Sequence, residues 1–419
     1  MLLSSNLGKK TGLTLCLMMA LAGCSDSNES TAGPDFNTGV TDGGNTDNGN
    51  SNGNNIDFDE KQLLLDLSQH VFVPAVQSFE TSSQDLISAV ATYCQSLESD
   101  PDAVAVNQQA AQQAWVHSMA QWQQLEVMQV GPLIDNDGKL RNAVYSWPVT
   151  SHCAVDQDVG HFEAGIVNDS VYDITKRTLT RRGLDAAEYL LFNEDLDHSC
   201  SKDSTAPEGW NDRSNNERQL ARCNFASEVV QNVNTSAQQL TAAWVTEQTG
   251  FQTVLGTAGE TGNKFETTKA AINHITDAMF YIDSITKDEK LAKPIGLSDS
   301  NSCGNAACVE DIESEISNNA INNIRANMVA LQSLFFGAPI GTEALGFDDY
   351  LKAVDQEQLA TDMANDIQAA IDAARMATDT SKGIGGESGG GVVYIPRGTY
   401  RITSPLQVST SNIQIVGDG

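Results

Sequence analysis

Residues 181–192, Arg181-Arg182-Gly183-Leu184-Asp185-Ala186-Ala187-Glu188-Tyr189-Leu190-Leu191-Phe192, combine a helix start, two acids and an apolar stripe. Beyond Gly183 nothing interrupts a helix, and Leu184, Ala187 and Leu191 recur three and four apart on one side of it. Asp185 and Glu188 are three apart, so their carboxylates share the adjoining face. Two carboxylates beside a buried surface can bind a divalent cation or hold a shared proton. The alternative is a solvated acidic edge with Arg181 and Arg182 as its partners.

The same periodicity extends outward in both directions. Leu63, Leu64, Leu67, Val71 and Phe72 make one helical face; Ala114, Trp115, Trp122 and Leu125 make another; Ile272, Ile275, Met279, Ile282 and Ile285 make a third. Loop signals separate them at Gly131-Pro132, Asp135 to Gly138, Trp147-Pro148, Ala206 to Gly209, Pro294 to Asn305 and Gly337 to Gly341. Little of this region alternates as a strand does. The fold class expected is all-α, a double helical bundle over residues 57–380.

At the N-terminus, Lys9 and Lys10 precede the apolar run Leu13 to Leu21, which ends in Leu21-Ala22-Gly23-Cys24. That order reads as a signal peptide over residues 1–23. Leu-Ala-Gly-Cys resembles a lipobox, which makes Cys24 the expected lipidation site and lipid the membrane anchor. Residues 24–56 are almost wholly Ser, Asn, Asp, Gly and Thr, too polar to bury a core, and read as a disordered tether. Ser25 rather than an acid follows Cys24, which favours outer-membrane delivery in a Gram-negative envelope. The chain carries 55 acidic against 24 basic side chains, a net charge of -31, and has no basic run. A nucleic-acid footprint is therefore excluded.

Six cysteines remain after the leader and the anchor: Cys94, Cys153, Cys200, Cys223, Cys303 and Cys308. An even number in an exported chain argues for disulfides. None forms a Cys-x-x-Cys pair, which argues against a structural zinc site. Pairing nearest neighbours first gives Cys303 with Cys308, Cys200 with Cys223, and Cys94 with Cys153.

Composition changes after Ser381. Residues 381–391 form a Gly-rich linker, and in residues 392–419 Val392-Val393-Tyr394-Ile395, Thr399-Tyr400-Arg401-Ile402 and Ile413-Gln414-Ile415-Val416 are β-type. The run from Gly389 to Tyr400, closing in Asn412-Ile413-Gln414-Ile415-Val416-Gly417, resembles the opening coil of pectate-lyase-like parallel β-helix proteins. One coil needs roughly three or more neighbours to bury its face. The segment is therefore expected to belong to a longer fusion or to stand stranded, and not to cleave a polysaccharide by itself.

The helical region resembles the imelysin family, which is named for insulin-cleaving membrane proteases and includes periplasmic proteins tied to iron uptake. Six landmarks carry the resemblance in order: Val73-Pro74-Ala75; Trp115 to Glu126 with Gly131-Pro132; Ser146-Trp147-Pro148; Gly183 to Phe192; Lys290-Leu291-Ala292-Lys293-Pro294-Ile295-Gly296; and Glu313-Ser314 to Asn327. The family's Gly-x-His-x-x-Glu signature maps onto Gly183, Asp185 and Glu188. Asp185 stands where the family has histidine, so a hard charged oxygen replaces a nitrogen ligand that suits zinc or iron. Met119 stands where some members have arginine. Glu126 and Glu188 match family positions, and with Asp185 they are the metal ligands the resemblance implies.

The histidines add little. His152 and His161 flank Asp156 and Asp158 in what reads as a polar loop pinned by Cys153, while His70, His117 and His274 fall in helices and His198 in an acidic loop. There is no His-Glu-x-x-His, no Gly-x-Ser-x-Gly elbow, and no dinucleotide or phosphate loop. The expectation is a lipid-anchored envelope protein that binds a divalent or ferric metal ion, or a metal-bearing ligand, between helical bundles. A metallopeptidase and a surface scaffold carrying a carbohydrate-active β-helix are the alternatives.

Overall fold

The computed structural model describes residues 58–304 and 306–378, together with the backbone of Gly391–Ile395 and Ile413–Gly417. Cys24, the leader, the tether and most of the Gly-rich linker lie outside the described residues.

The chain opens as α1 (Glu60–Asp66), passes through a π-helical turn at Leu67–Phe72, and continues as α2 (Val73–Ser99). Asp59 caps α1 by accepting a hydrogen bond from the Gln62 N–H, and Pro74, which has no N–H to give to the preceding turn, follows directly on the π-helical turn, where the α-helical ladder is already interrupted. Next come α3 (Val104–Glu126), α4 (Asp135–Val144), α5 (His152–Ala164) and α6 (Leu184–Phe192). The long α7 (Asn215–Val245) starts with a capping box between Ser214 and Glu217 and is followed by α8 (Phe251–Gly256) and α9 (Thr268–Met279). A π-helix at Ile282–Ala292 leads through a loop to α10 (Ala320–Phe335), α11 (Phe347–Ala353) and α12 (Glu357–Thr378).

The helices pack in two groups. In the first, α2 lies along both α3 and α7, with α6 wedged against α3 and α7; in the second, α10 packs on α12 and on the π-helix. Contact between α3 and α10 joins the groups. Of the faces predicted from spacing, Leu63, Leu64, Leu67, Val71 and Phe72 are buried, as are Trp115, Trp122 and Leu125 with Ala114 half-buried, and Ile272, Ile275 and Ile282 with Met279 and Ile285 half-buried. Indole rings anchor the first group, with Trp244 stacked on Phe72 at 5.0 Å and Trp122 tilted on Phe79 at 5.3 Å.

Three details depart from expectation. Residues 152–164 form α5 rather than a polar loop, because the Ser151 hydroxyl caps the Ala154 N–H and a left-handed Gly165 ends the helix. A two-residue hairpin, β1 (Ile166–Val167) with β2 (Ser170–Val171), follows it, turned by Asn168 and Asp169 at positive φ. The disulfides join Cys94 to Cys223, Cys153 to Cys200, and Cys303 to Cys308. Two of the nearest-neighbour pairings are thus corrected, since packing sets α2 beside α7 and brings Cys94 to Cys223 across 129 residues.

The strands β3 (Gly391–Ile395) and β4 (Ile413–Gly417) pair in parallel, Val393 opposite Ile415. The remainder of the β-helix expectation lies outside the described residues.

Candidate functional site

Asp185 and Glu188 lie on the buried side of α6, at its first turn and one turn on. Their helix is clamped at both ends by α3: the Trp115 indole N–H donates to the Leu184 carbonyl at 2.9 Å, and Gln112 Nε2 donates to the Leu191 carbonyl at 3.0 Å. Gly183 caps the start with φ +91, and a Cβ there would stand 2.8 Å from the Val144 carbonyl oxygen. Only glycine lets α4 and α6 approach this closely. That approach carries the Ser146 backbone N–H to Asp185 Oδ2 at 2.9 Å. On the other side the Ser317 N–H donates to Glu188 Oε1 at 2.8 Å.

Neither acid uses Arg181 or Arg182. Arg181 donates to Asp158 and to the Ala154 carbonyl, and Arg182 to Asn232. The solvated acidic edge is therefore not what forms. Burial pushes the Asp185 carboxyl up to about 8, opposed by the Ser146 N–H and reinforced by the neighbouring Glu188 and Glu313 carboxylates. Burial likewise raises Glu188 to about 7, against two hydrogen bonds from Ser317.

Glu126, the third expected ligand, is at the end of α3 and is already paired: Lys290 Nζ lies 2.7 Å from its Oε2. The same ammonium is 3.0 Å from Glu313 Oε1. Burial works against the Lys290 charge, and the Glu126 and Glu313 carboxylates overcome it, raising its pKa. Glu313 is fully buried, and its Oε1 also accepts from Tyr145 Oη at 2.7 Å and Gln123 Nε2 at 3.1 Å. Its Oε2 has no hydrogen-bond partner among the described residues. Met119 is buried with its sulfur 3.5 Å from Gln123 Nε2.

The centre thus holds four buried carboxyl groups, Glu126, Asp185, Glu188 and Glu313, and one ammonium, Lys290, which pairs with Glu126 and Glu313 only. It lies where α3 and α6 of the first group meet the π-helix and the loop before α10 of the second. Among the described residues these acids do not bring three ligand oxygens within 4.8 Å of one another, so Glu126, Asp185 and Glu188 are not a closed triad. The group that does meet that distance, Cys303, Cys308 and Glu310, has both sulfurs in a disulfide and offers no thiolate. An apolar cavity of about 310 Å³, lined by Ile272, Met279, Phe335, Phe347 and Leu351, contains none of the four acids.

Sequence reasoning missed Glu313 and Lys290 as site residues, although both fall inside landmark stretches. Each stands in a run of other charged residues, Asp288-Glu289 before Lys290 and Glu310-Asp311 before Glu313, so no local signal set them apart. Asp156 and Asp158 turn out to be structural. Asp156 accepts from Tyr189, Ser199 and the buried Arg222, and Asp158 from Arg177, Arg181 and Tyr172. His152 is exposed and stacked on Tyr189 at 4.5 Å.

A family model described as Imelysin, peptidase M75, matches residues 72–391. "Iron-regulated protein A" of Synechococcus elongatus is 23% identical over 280 residues, covering 66% of this chain and 64% of the relative, so the chain spans less than two thirds of that protein's length. The crystal structure of a protein described as an iron-regulated protein A precursor, from Parabacteroides distasonis, superposes with a TM-score of 0.57 at 17% identity, over 76% of this chain and 86% of that one. That likeness is one of fold. An imelysin-like protein from Psychrobacter arcticum gives a TM-score of 0.43 at 14% identity, over 78% and 93% of the two chains.

Proposed function

The chain belongs to the imelysin family, and we propose that this member captures a hard metal cation, divalent or ferric, or a ligand bearing one, at the Asp185–Glu188 pair. The observation that carries the reading is the excess of buried negative charge. Four carboxyl groups share the centre with one ammonium that pairs with two of them, and a fully buried oxygen of Glu313 has no partner among the described residues. Burying unpaired carboxylates is costly unless protons or a cation neutralise them. Oxygen donors of this kind suit hard ions, and with Asp185 in place of histidine the nitrogen ligand of a zinc site is missing from the signature. Because three protein oxygens do not converge, the ion keeps part of its shell as water or as the chelate it arrives in.

Location supports the same reading. Lipid on Cys24 and the polar tether hold the domain at the envelope, on the outer membrane, and three disulfides suit an oxidising compartment. No helix among the described residues is long and apolar enough to cross a membrane. The name of the Synechococcus relative adds iron as the first ion to try.

Titration calorimetry of the whole chain with iron(III) nitrilotriacetate, zinc and calcium tests the proposal. Binding is expected, and Glu188→Ala and Asp185→Ala are expected to abolish it. Heat unchanged in both variants, or no binding by the parent, overturns capture at this pair. Chelator-sensitive cleavage of insulin chain would replace capture by hydrolysis.

A further inference from the structure

Lys290 is placed more carefully than a charge pair requires. Its ammonium sits among four oxygens: Gln123 Oε1 at 2.6 Å, Glu126 Oε2 at 2.7 Å, Glu313 Oε1 at 3.0 Å and Asn327 Oδ1 at 3.3 Å. Three of the four oxygens are themselves held by a further donor. Asn327 Nδ2 donates to Gln123 Oε1 at 3.0 Å, Thr286 Oγ1 to Asn327 Oδ1 at 3.1 Å, and Tyr145 to Glu313 Oε1 at 2.7 Å. Two carboxylates and two amide carbonyls are the donor set of a hard-cation site, here wrapped around a side-chain cation. The helix that delivers Lys290 is π-helical for its whole length, Ile282–Ala292, a geometry rare in helices and concentrated at functional sites. Glu313 is the hinge of the arrangement: one oxygen belongs to the cage and the other, fully buried, has no partner among the described residues.

We propose that Lys290 is the resident cation of the acidic centre: its ammonium fills the inner oxygen cage, engages Glu313, and so limits the protein to one exchangeable ion at Asp185 and Glu188. The lysine is a specificity-determining residue. A fixed, hydrogen-bonding ammonium does at the inner place what a second metal ion does in two-metal centres, and it cannot leave. The inference rests on the capture reading for the outer ion only; the cage is described by its own distances.

The test counts manganese(II) bound to the whole chain, by calorimetry and by loss of the free-ion electron paramagnetic resonance signal. The parent is expected to take one ion and Lys290→Met two, with the low-temperature signal of a coupled pair. One ion in both overturns the role of Lys290 while capture stands. None in the parent and one in Lys290→Met overturns capture at Asp185 and Glu188 while the cage stands as a cation site, and none in either overturns both. Should Lys290→Met fail to fold, the double variant Lys290→Met with Glu126→Gln removes a carboxylate together with the ammonium. That variant is expected to show a second binding event about tenfold or more weaker than the first, and a single event overturns the inference.

Discussion

Glu188 Oε1 accepts a hydrogen bond from the Ser317 backbone N–H at 2.8 Å, and this bond ties α6 of the first helical group to the loop that enters α10 of the second. Asp185, three residues earlier, is held by Ser146 on the other side. The acid pair is thus oriented by main-chain donors from two different parts of the chain. Main-chain donors fix a carboxylate without neutralising it, which leaves the charge for a proton or a cation.

The metal-free protein is therefore expected to lose stability as the pH rises. Both carboxyl groups are raised, Asp185 to about 8 and Glu188 to about 7, above unfolded values of about 4. Below that unfolded range both states hold the protons and the fold is unpenalised. As the pH rises toward the folded values the unfolded chain ionises first, and stability drops by up to about 1.4 kcal/mol per pH unit for each group. Chemical denaturation between pH 5 and pH 8, with chelator, measures the slope. Asp185→Asn should flatten it, and an equal slope in that variant counts against Asp185 as its source.

Gly183→Ala should damage the site more than its size suggests. The added methyl would lie 2.8 Å from the Val144 carbonyl oxygen on a backbone at φ +91, so α4 and α6 must separate. A cost of about 1–3 kcal/mol is expected from the strained backbone, with the Ser146 bond to Asp185 lengthened and metal affinity reduced. Melting temperature and calorimetry together check this. A fall in stability with unchanged affinity would show that Ser146 does not orient Asp185.

Much of the scaffold was legible from spacing, because helix faces repeat every three to four residues and need no partner to be recognised. The pair Asp185 and Glu188 was legible for the same reason. What meets that face was not. Ser146 reaches Asp185 across 39 residues and Ser317 reaches Glu188 across 129, while beside them Lys290 joins Glu126 across 164 and Tyr145 joins Glu313 across 168, contacts that no local period encodes. Lys290 lies near the end of its helix, in a Lys-Leu-Ala-Lys-Pro run that reads as a solvated terminus, yet it is buried. The cysteines teach the same point: Cys94 and Cys223 face each other because α2 and α7 pack side by side, which the loop lengths alone did not favour.

Asp185→His tests what the departure from the family signature does. A carboxylate offers a charged oxygen that prefers hard ions, whereas a neutral imidazole offers a nitrogen suited to zinc. It also removes one of four buried acids, which lightens the repulsion that Glu188 and Glu313 now feel. Competition between zinc and manganese(II) should therefore swing toward zinc by about tenfold or more. The pH dependence should change with it, since imidazole titrates near 6.5 rather than near the raised carboxyl value of about 8. Zinc preference unchanged in a folded variant would mean that residue 185 does not touch the ion, and Glu188 with Glu313 would then be the pair to examine.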